Sequence, residues 1–149
     1  MKMLEANIAD MIEQMKRDTD SDIAILGSID TSKRKLRWSF ANGSISERTL
    51  QVEQKPNAGL SGTAIRSARL ACTGKPLTDA ERFKIGEPIL LAEQLRIAAS
   101  IPILMNSSIY GVVLMGRRSE QTYSREELEI ATHLAKELSF ILFKQQVFD

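Results

Sequence analysis

Apolar residues recur at spacings of three and four along the first stretch of the chain, at Leu4, Ile8, Met11, Ile12 and Met15. That period places them on one stripe of a helix running from Met3 to about Thr19, ended by Asp18, Asp20 and Ser21. The pattern then changes. A short β-branched run, Asp22 to Ser28, is followed by an alternating run, Lys35 to Phe40, across the turn-rich stretch Asp30 to Lys33. Two such runs predict an antiparallel hairpin. Strict alternation puts Leu36, Trp38 and Phe40 on one face of the second strand, which stops at Asn42-Gly43, a pair suited to positive φ.

The middle third is less regular. Ser44 to Glu47 has the spacing to cap a single helical turn, and Lys55 to Gly59 reads as a loop. Leu60 to Arg69 reads as a helix with a glycine-rich start, and its small residues Ser61, Gly62, Ala64, Ser67 and Ala68 allow close approach to a sheet or a ligand. Leu70 to Thr73 is a short strand candidate. Thr78 to Glu81 is a capping box opening a short helix through Phe83 and Ile85. Pro88 to Leu95 fits either a helix or an irregular lid.

The last third is clear. Two continuous apolar runs, Ile97 to Met105 and Ser108 to Gly116, meet at Asn106-Ser107 and predict paired central strands. A further capping box, Ser124 to Glu127, opens a long helix to about Gln145, with Leu128, Ala131, Leu134, Ala135, Leu138, Ile141 and Leu142 as its apolar positions. Helix, strands, helices, strands and a closing helix make an α+β architecture. No repeat or linker divides it, so residues 1–149 are expected to form one domain.

Composition narrows the chemistry. With 20 Lys and Arg against 19 Asp and Glu, the chain carries a net charge of +1, so no broad positive field suggests nucleic acid or an anionic membrane. No apolar run approaches the roughly 20 residues of a membrane span, and the amino terminus alternates charge with apolar residues unlike a signal peptide. A cytoplasmic location is the expectation. The single cysteine, Cys72, excludes an intramolecular disulfide and a multi-thiolate metal site. His133 is the only histidine, so a histidine-rich metal centre is excluded too. No metal, cofactor or catalytic residue is expected, and Cys72 reads as a buried or half-buried thiol. The doublet Arg117-Arg118 reads as solvated.

Three segments together carry a family resemblance. Residues 58–70 (AGLSGTAIRSARL) resemble the glycine-started helix of GAF domains. Residues 100–104 (SIPIL) with 109–116 (IYGVVLMG) are similar to the paired central strands of that family, and 122–135 (TYSREELEIATHLA) to its closing helix. The resemblance implies a GAF-like α+β fold, with a central antiparallel sheet of about six strands, both terminal helices on one face and a ligand pocket on the other. Within the family the chain resembles the cytosolic nitrate-receptor proteins that act on a sensor histidine kinase, with Trp38 and Gly59-Leu60 at matching places. Those proteins carry an alanine after the leucine and a tyrosine in the lid. This chain has Ser61, and no aromatic residue between Phe83 and Tyr110. A second resemblance, to free methionine-R-sulfoxide reductases, implies a redox enzyme using Cys72. A third reading is a GAF module used only for dimerisation or docking.

The expected site follows from helix physics. The first N–H groups of a helix lack intrahelical partners, and the aligned peptide dipoles add about half a positive charge there. Leu60, Ser61, Gly62 and Thr63 supply those groups, and Gly59 and Gly62 permit close backbone approach. Without an adjacent cation the site suits a small, weakly hydrated monovalent anion, nitrate first, because a phosphate or sulfate costs more to desolvate. Trp38 and an apolar lid of Pro88, Ile89 and Leu90 are the expected walls. The first and last helices also have apolar residues to spare for a second surface, either a homodimer contact or a docking face for a kinase.

Overall fold

The computed structural model describes residues 2–148, with side chains from residue 3 to 144; Met1 and Asp149 of the expected domain lie outside it. In chain order the elements are α1 (Lys2–Asp18), β1 (Ile23–Asp30), β2 (Lys35–Asn42), a 3₁₀ turn (Thr49–Gln51), β3 (Glu53–Gln54), α2 (Gly59–Ser67), β4 (Ala71–Cys72), α3 (Asp79–Ile85), α4 (Pro88–Ala92), β5 (Ile97–Met105), β6 (Ser108–Arg117) and α5 (Arg125–Phe148). The strands form one six-stranded antiparallel sheet in the order β3-β2-β1-β6-β5-β4. The expected α+β layout is therefore present.

Because strand side chains alternate, each strand feeds two cores. On one face Ile8, Ile12 and Met15 of α1 and Leu134, Leu138 and Leu142 of α5 pack against Ala24, Leu26, Ile101, Val113 and Met115. On the other, Ile23, Ile25, Leu36, Trp38, Val112 and Leu114 pack against Ala64 of α2, Leu77, and Ile89 and Leu90 of α4. Both capping boxes form as expected. Thr78 Oγ1 accepts from Glu81 N, and Ser124 Oγ from Glu127 N at 3.1 Å, with each glutamate accepting from the cap's own N–H. The turn between β5 and β6 puts Asn106 at φ 56°.

The alternation along β2 breaks. Leu36 and Trp38 face the α2 side, but Phe40 packs with α1 and α5, and Ala41 takes its place. The cause is an irregularity in the β1–β2 register between Ala24 and Leu26, where Phe40 adopts φ 52°. An extra residue in a ladder reverses the facing of everything beyond it. Ser44 to Glu47 forms no helix; the turn comes later, at Thr49–Gln51. Along β1, a Cβ on Gly27 would lie 2.8 Å from the Trp38 ring, so the indole rests on bare backbone.

The arginine doublet, expected to be solvated, is tied into the fold, with Arg117 buried and Arg118 half-buried. Arg117, only 2% exposed, donates to the carbonyls of Thr19, Asp20, Gln121 and Thr122 and to the Glu127 carboxylate at 2.6 Å. Its guanidinium also lies 4.1 Å from the Tyr123 ring centroid. A planar five-donor group satisfies several loop carbonyls at once, which an ammonium cannot. Arg118 donates to the Glu93 carboxylate at 2.8 Å, to the Glu93 carbonyl, and to the Gly43 carbonyl. Burial by itself pushes the Glu93 carboxyl up, but hydrogen bonds from Ser44, Thr49, Ile45 N and Arg118 outweigh it and hold the group below its usual range. Replacing Arg117 with alanine strands the carbonyls and is expected to cost about 3 kcal/mol or more in a urea melt. Arg117→Lys, which keeps charge without the fork, should fall between the two.

Candidate functional site

The start of α2 is already occupied. Ala58 is its N-cap residue and offers no side-chain cap. Instead the carboxylate of Glu87, just ahead of α4, lies against the opening turn. The Ser61 N–H donates to Glu87 Oε1 at 3.0 Å, and the Ser61 hydroxyl donates to the same oxygen. Gln54 Nε2, on β3, donates to Glu87 Oε2. The Gln54 carbonyl oxygen accepts from the Trp38 indole N–H at 3.0 Å, and Ser100 Oγ on β5 donates to Ser61 Oγ at 3.2 Å. The chain Trp38–Gln54–Glu87–Ser61–Ser100 thus crosses four elements beneath α4.

Chemical logic fixes its polarity. An indole can only donate, so Gln54 must turn its oxygen to Trp38 and its NH₂ to Glu87. Every group that reaches the carboxylate is therefore a donor, and the helix dipole adds its positive end. The arrangement is an oxyanion cradle with a built-in oxyanion. Glu87 is 1% exposed, and burial pushes its carboxyl above the usual range, partly offset by the bonds from Ser61 and Gln54. No cation stands among its hydrogen-bond partners.

The structure places the expected site residues as follows. Trp38, Ser61, Ile89 and Leu90 are buried around the cradle's inner side, with Trp38 4% exposed and bonded to Gln54. Ser61 alone directs its N–H at an oxyanion. Gly62 N bonds to Ala58 O at 2.8 Å, closing the helix's first turn. Both glycines make room for the chain itself. A Cβ at Gly62 would fall 2.3 Å from Asn57 backbone, and one at Gly59, where φ is 68°, 2.7 Å from Glu87 Oε2. Pro88 opens α4, so the lid is a short helix whose Ile89 and Leu90 belong to the core. Leu60 and Thr63 line a groove of about 400 Å³ between α2, the end of β4 and α3, together with Cys72 and Lys75. Cys72 is exposed, contrary to the expectation of a buried thiol, because β4 is an edge strand. His133 is exposed on α5 and contacts Glu137 at 3.4 Å, lining different grooves from Cys72. Among the described residues no group of three or more His, Cys, Asp or Glu could hold a metal, and no helix is long and apolar enough to cross a membrane.

Glu87 and Gln54 escaped the sequence reading. The one available signal was a carboxylate set between Ile85 and the apolar Pro88 to Leu91, where a charge has to find donors.

A sheet of this order, helices from both termini on one face and a small polar cradle under short helices on the other define a small-ligand binding module. The chain belongs to the GAF domain family, whose pattern matches residues 5–142. Its fold is shared by a Staphylococcus aureus NreA protein mutated in its nitrate binding site, at 20% identity over 81% of this chain and 90% of that one, TM-score 0.71. A GAF domain/HD domain protein from Geobacter sulfurreducens aligns at 16% identity over 97% of this chain and 94% of that one, TM-score 0.78. A type II free methionine-R-sulfoxide reductase from Thermoplasma acidophilum aligns at 10% identity over 96% and 94%, TM-score 0.73. No curated protein matches the chain in sequence.

The raised Glu87 carboxyl has a signed consequence. Its stabilising contribution is complete below the unfolded pKa and drains away as pH rises through the higher folded value. Glu87→Gln removes that drain. Urea melts of both proteins between about pH 4 and 7 should therefore show the variant gaining stability relative to wild type as pH rises. A constant difference would mean that Glu87 titrates normally.

Proposed function

We propose that this GAF domain is a signalling module rather than an enzyme, sensing a small planar oxyanion, nitrate first, at the opening turn of α2. Its signal passes to a sensor histidine kinase of a two-component system. The observation that carries this reading is the donor set around Glu87: the Ser61 N–H and hydroxyl and the Gln54 amide hold a flat, singly charged group of oxygens. Nitrate has that shape and charge, and it is weakly hydrated. Sulfate is tetrahedral and doubly charged, and stripping its water costs much more. The fold shared with an NreA protein that has a nitrate binding site supports the same ligand. For the output, α5 leaves Ile130, Phe140 and Phe143 exposed, apolar residues that suit a docking face for a kinase or a second copy. The redox alternative has less behind it, since the exposed Cys72 lines the outer groove beside α2 and has no bond to the cradle's donors, and the chain holds a single cysteine.

Trp38 is the only tryptophan, and its indole is bonded to the cradle. Its fluorescence should change saturably with nitrate and stay unchanged with sulfate at matched ionic strength. A linear, collisional decline with nitrate, with no shift in thermal unfolding midpoint, would refute nitrate as the ligand.

A further inference from the structure

We infer that Glu87 is the specificity-determining residue of this site: its tethered carboxylate keeps the ligand's place at α2, and a free planar anion enters only when that carboxylate leaves. This rests on the function proposed above, and it adds what sets the threshold for binding.

The geometry leaves one position for one oxyanion. Glu87 Oε1 takes both donors of Ser61 and Oε2 takes the Gln54 amide, whose own oxygen is spent on Trp38. An incoming anion finds those donors engaged. The backbone is shaped to the occupant as well, for Gly59 at φ 68° leaves just enough room for the Glu87 side chain. A group held on its own chain competes at an effective concentration of millimolar or more, so free anion pays a population penalty. Glu87 is also placed to move. It follows Gly86, whose φ of 76° ends α3, and precedes Pro88 at the start of α4. Its exit therefore bears on the helix that carries Ile89 and Leu90 into the core.

Deprotonation weakens the hold: at 1% exposure the cost of burying the charge exceeds what the three donors return, so the docked carboxyl keeps its proton more tightly than one in water. The surrounding elements bring no compensating charge. β5 and α4 contain no ionisable side chain. On α2, Arg66 donates to the Asn57 carbonyl, and on β3, Glu53 is paired with Arg37 of β2. On α3, Asp79 pairs with Arg82, and Glu81 with Lys75, which lines the groove beside Gly59. Acidification should thus keep Glu87 docked and oppose the anion, and a rise in pH should favour it.

The test uses wild type, Glu87→Ala and Glu87→Gln with sodium nitrate and sodium formate, read by Trp38 fluorescence and thermal unfolding midpoint at about pH 5.5, 6.5 and 7.5. In folded Glu87→Ala both anions should bind saturably, at least about tenfold more tightly than to wild type at the lowest pH, with little pH dependence. Wild-type affinity should weaken as pH falls, whereas Glu87→Gln, which fills the place with a neutral amide, should show a flat profile. If wild type binds nitrate and Glu87→Ala binds no better, the sensor reading stands and this inference is overturned. If Glu87→Ala takes up formate while wild type ignores nitrate at every pH, the tethered occupant is supported and nitrate sensing by the native chain fails. Should Glu87→Ala not fold, a wild-type affinity as flat with pH as that of Glu87→Gln overturns the inference.

Discussion

A carboxylate buried without a cation is the constraint on which this face of the sheet depends. Taking Glu87 out of water costs several kcal/mol unless donors meet it. The chain meets it with backbone at the start of α2, whose N-cap residue Ala58 supplies no side-chain cap, with a serine on that helix, and with an amide whose other end is fixed by an indole. Two needs cancel: α2 has unsatisfied N–H groups, and Glu87 has an unsatisfied charge. Gly59, Ser61, Gln54 and Trp38 follow from that pairing, each by a different physical requirement. Sterics select the first, donor capacity the next two, and donor-only chemistry the last.

Helix α4 lies between two buried carboxylates of opposite character. Glu87 ahead of it is pushed up by burial, while Glu93 behind it is held low by Ser44, Thr49, Ile45 N and Arg118. On acidification the front carboxylate takes a proton first and the rear one keeps its charge. The two ends of this five-residue helix therefore differ in how firmly they are held. The rear attachment joins the frame that Arg117 and Arg118 build at the end of β6, where loop carbonyls from both ends of the chain converge. Site and frame meet across α4, and again along the segment from Thr49, bonded to Glu93, to Gln54, bonded to Glu87.

What the sequence discloses divides by range. The two capping boxes, the apolar strand pairs and the terminal helix stripes depend on neighbours a few residues away, and they are legible as such. Phe40 is not, because its reversal comes from a mismatch with β1 that alternation within β2 cannot express. Arg117 reads as a surface cation until the carbonyls of Thr19, Asp20, Gln121 and Thr122 are brought to it by folding. The anion-holding turn of α2 is visible as a glycine-rich helix start. Its occupant comes from residue 87, 26 positions from Ser61, and no local rule connects them.

Gly27 contributes to the site without belonging to it. It offers the indole a flat seat, and any methyl group there would lie 2.8 Å from the ring and tip it. A tipped ring withdraws its N–H from Gln54, the amide is then free to flip, and a flipped amide presents oxygen to oxygen at Glu87. A missing side chain on β1 thereby sets which way an amide on β3 faces and whether the carboxylate is attracted or repelled.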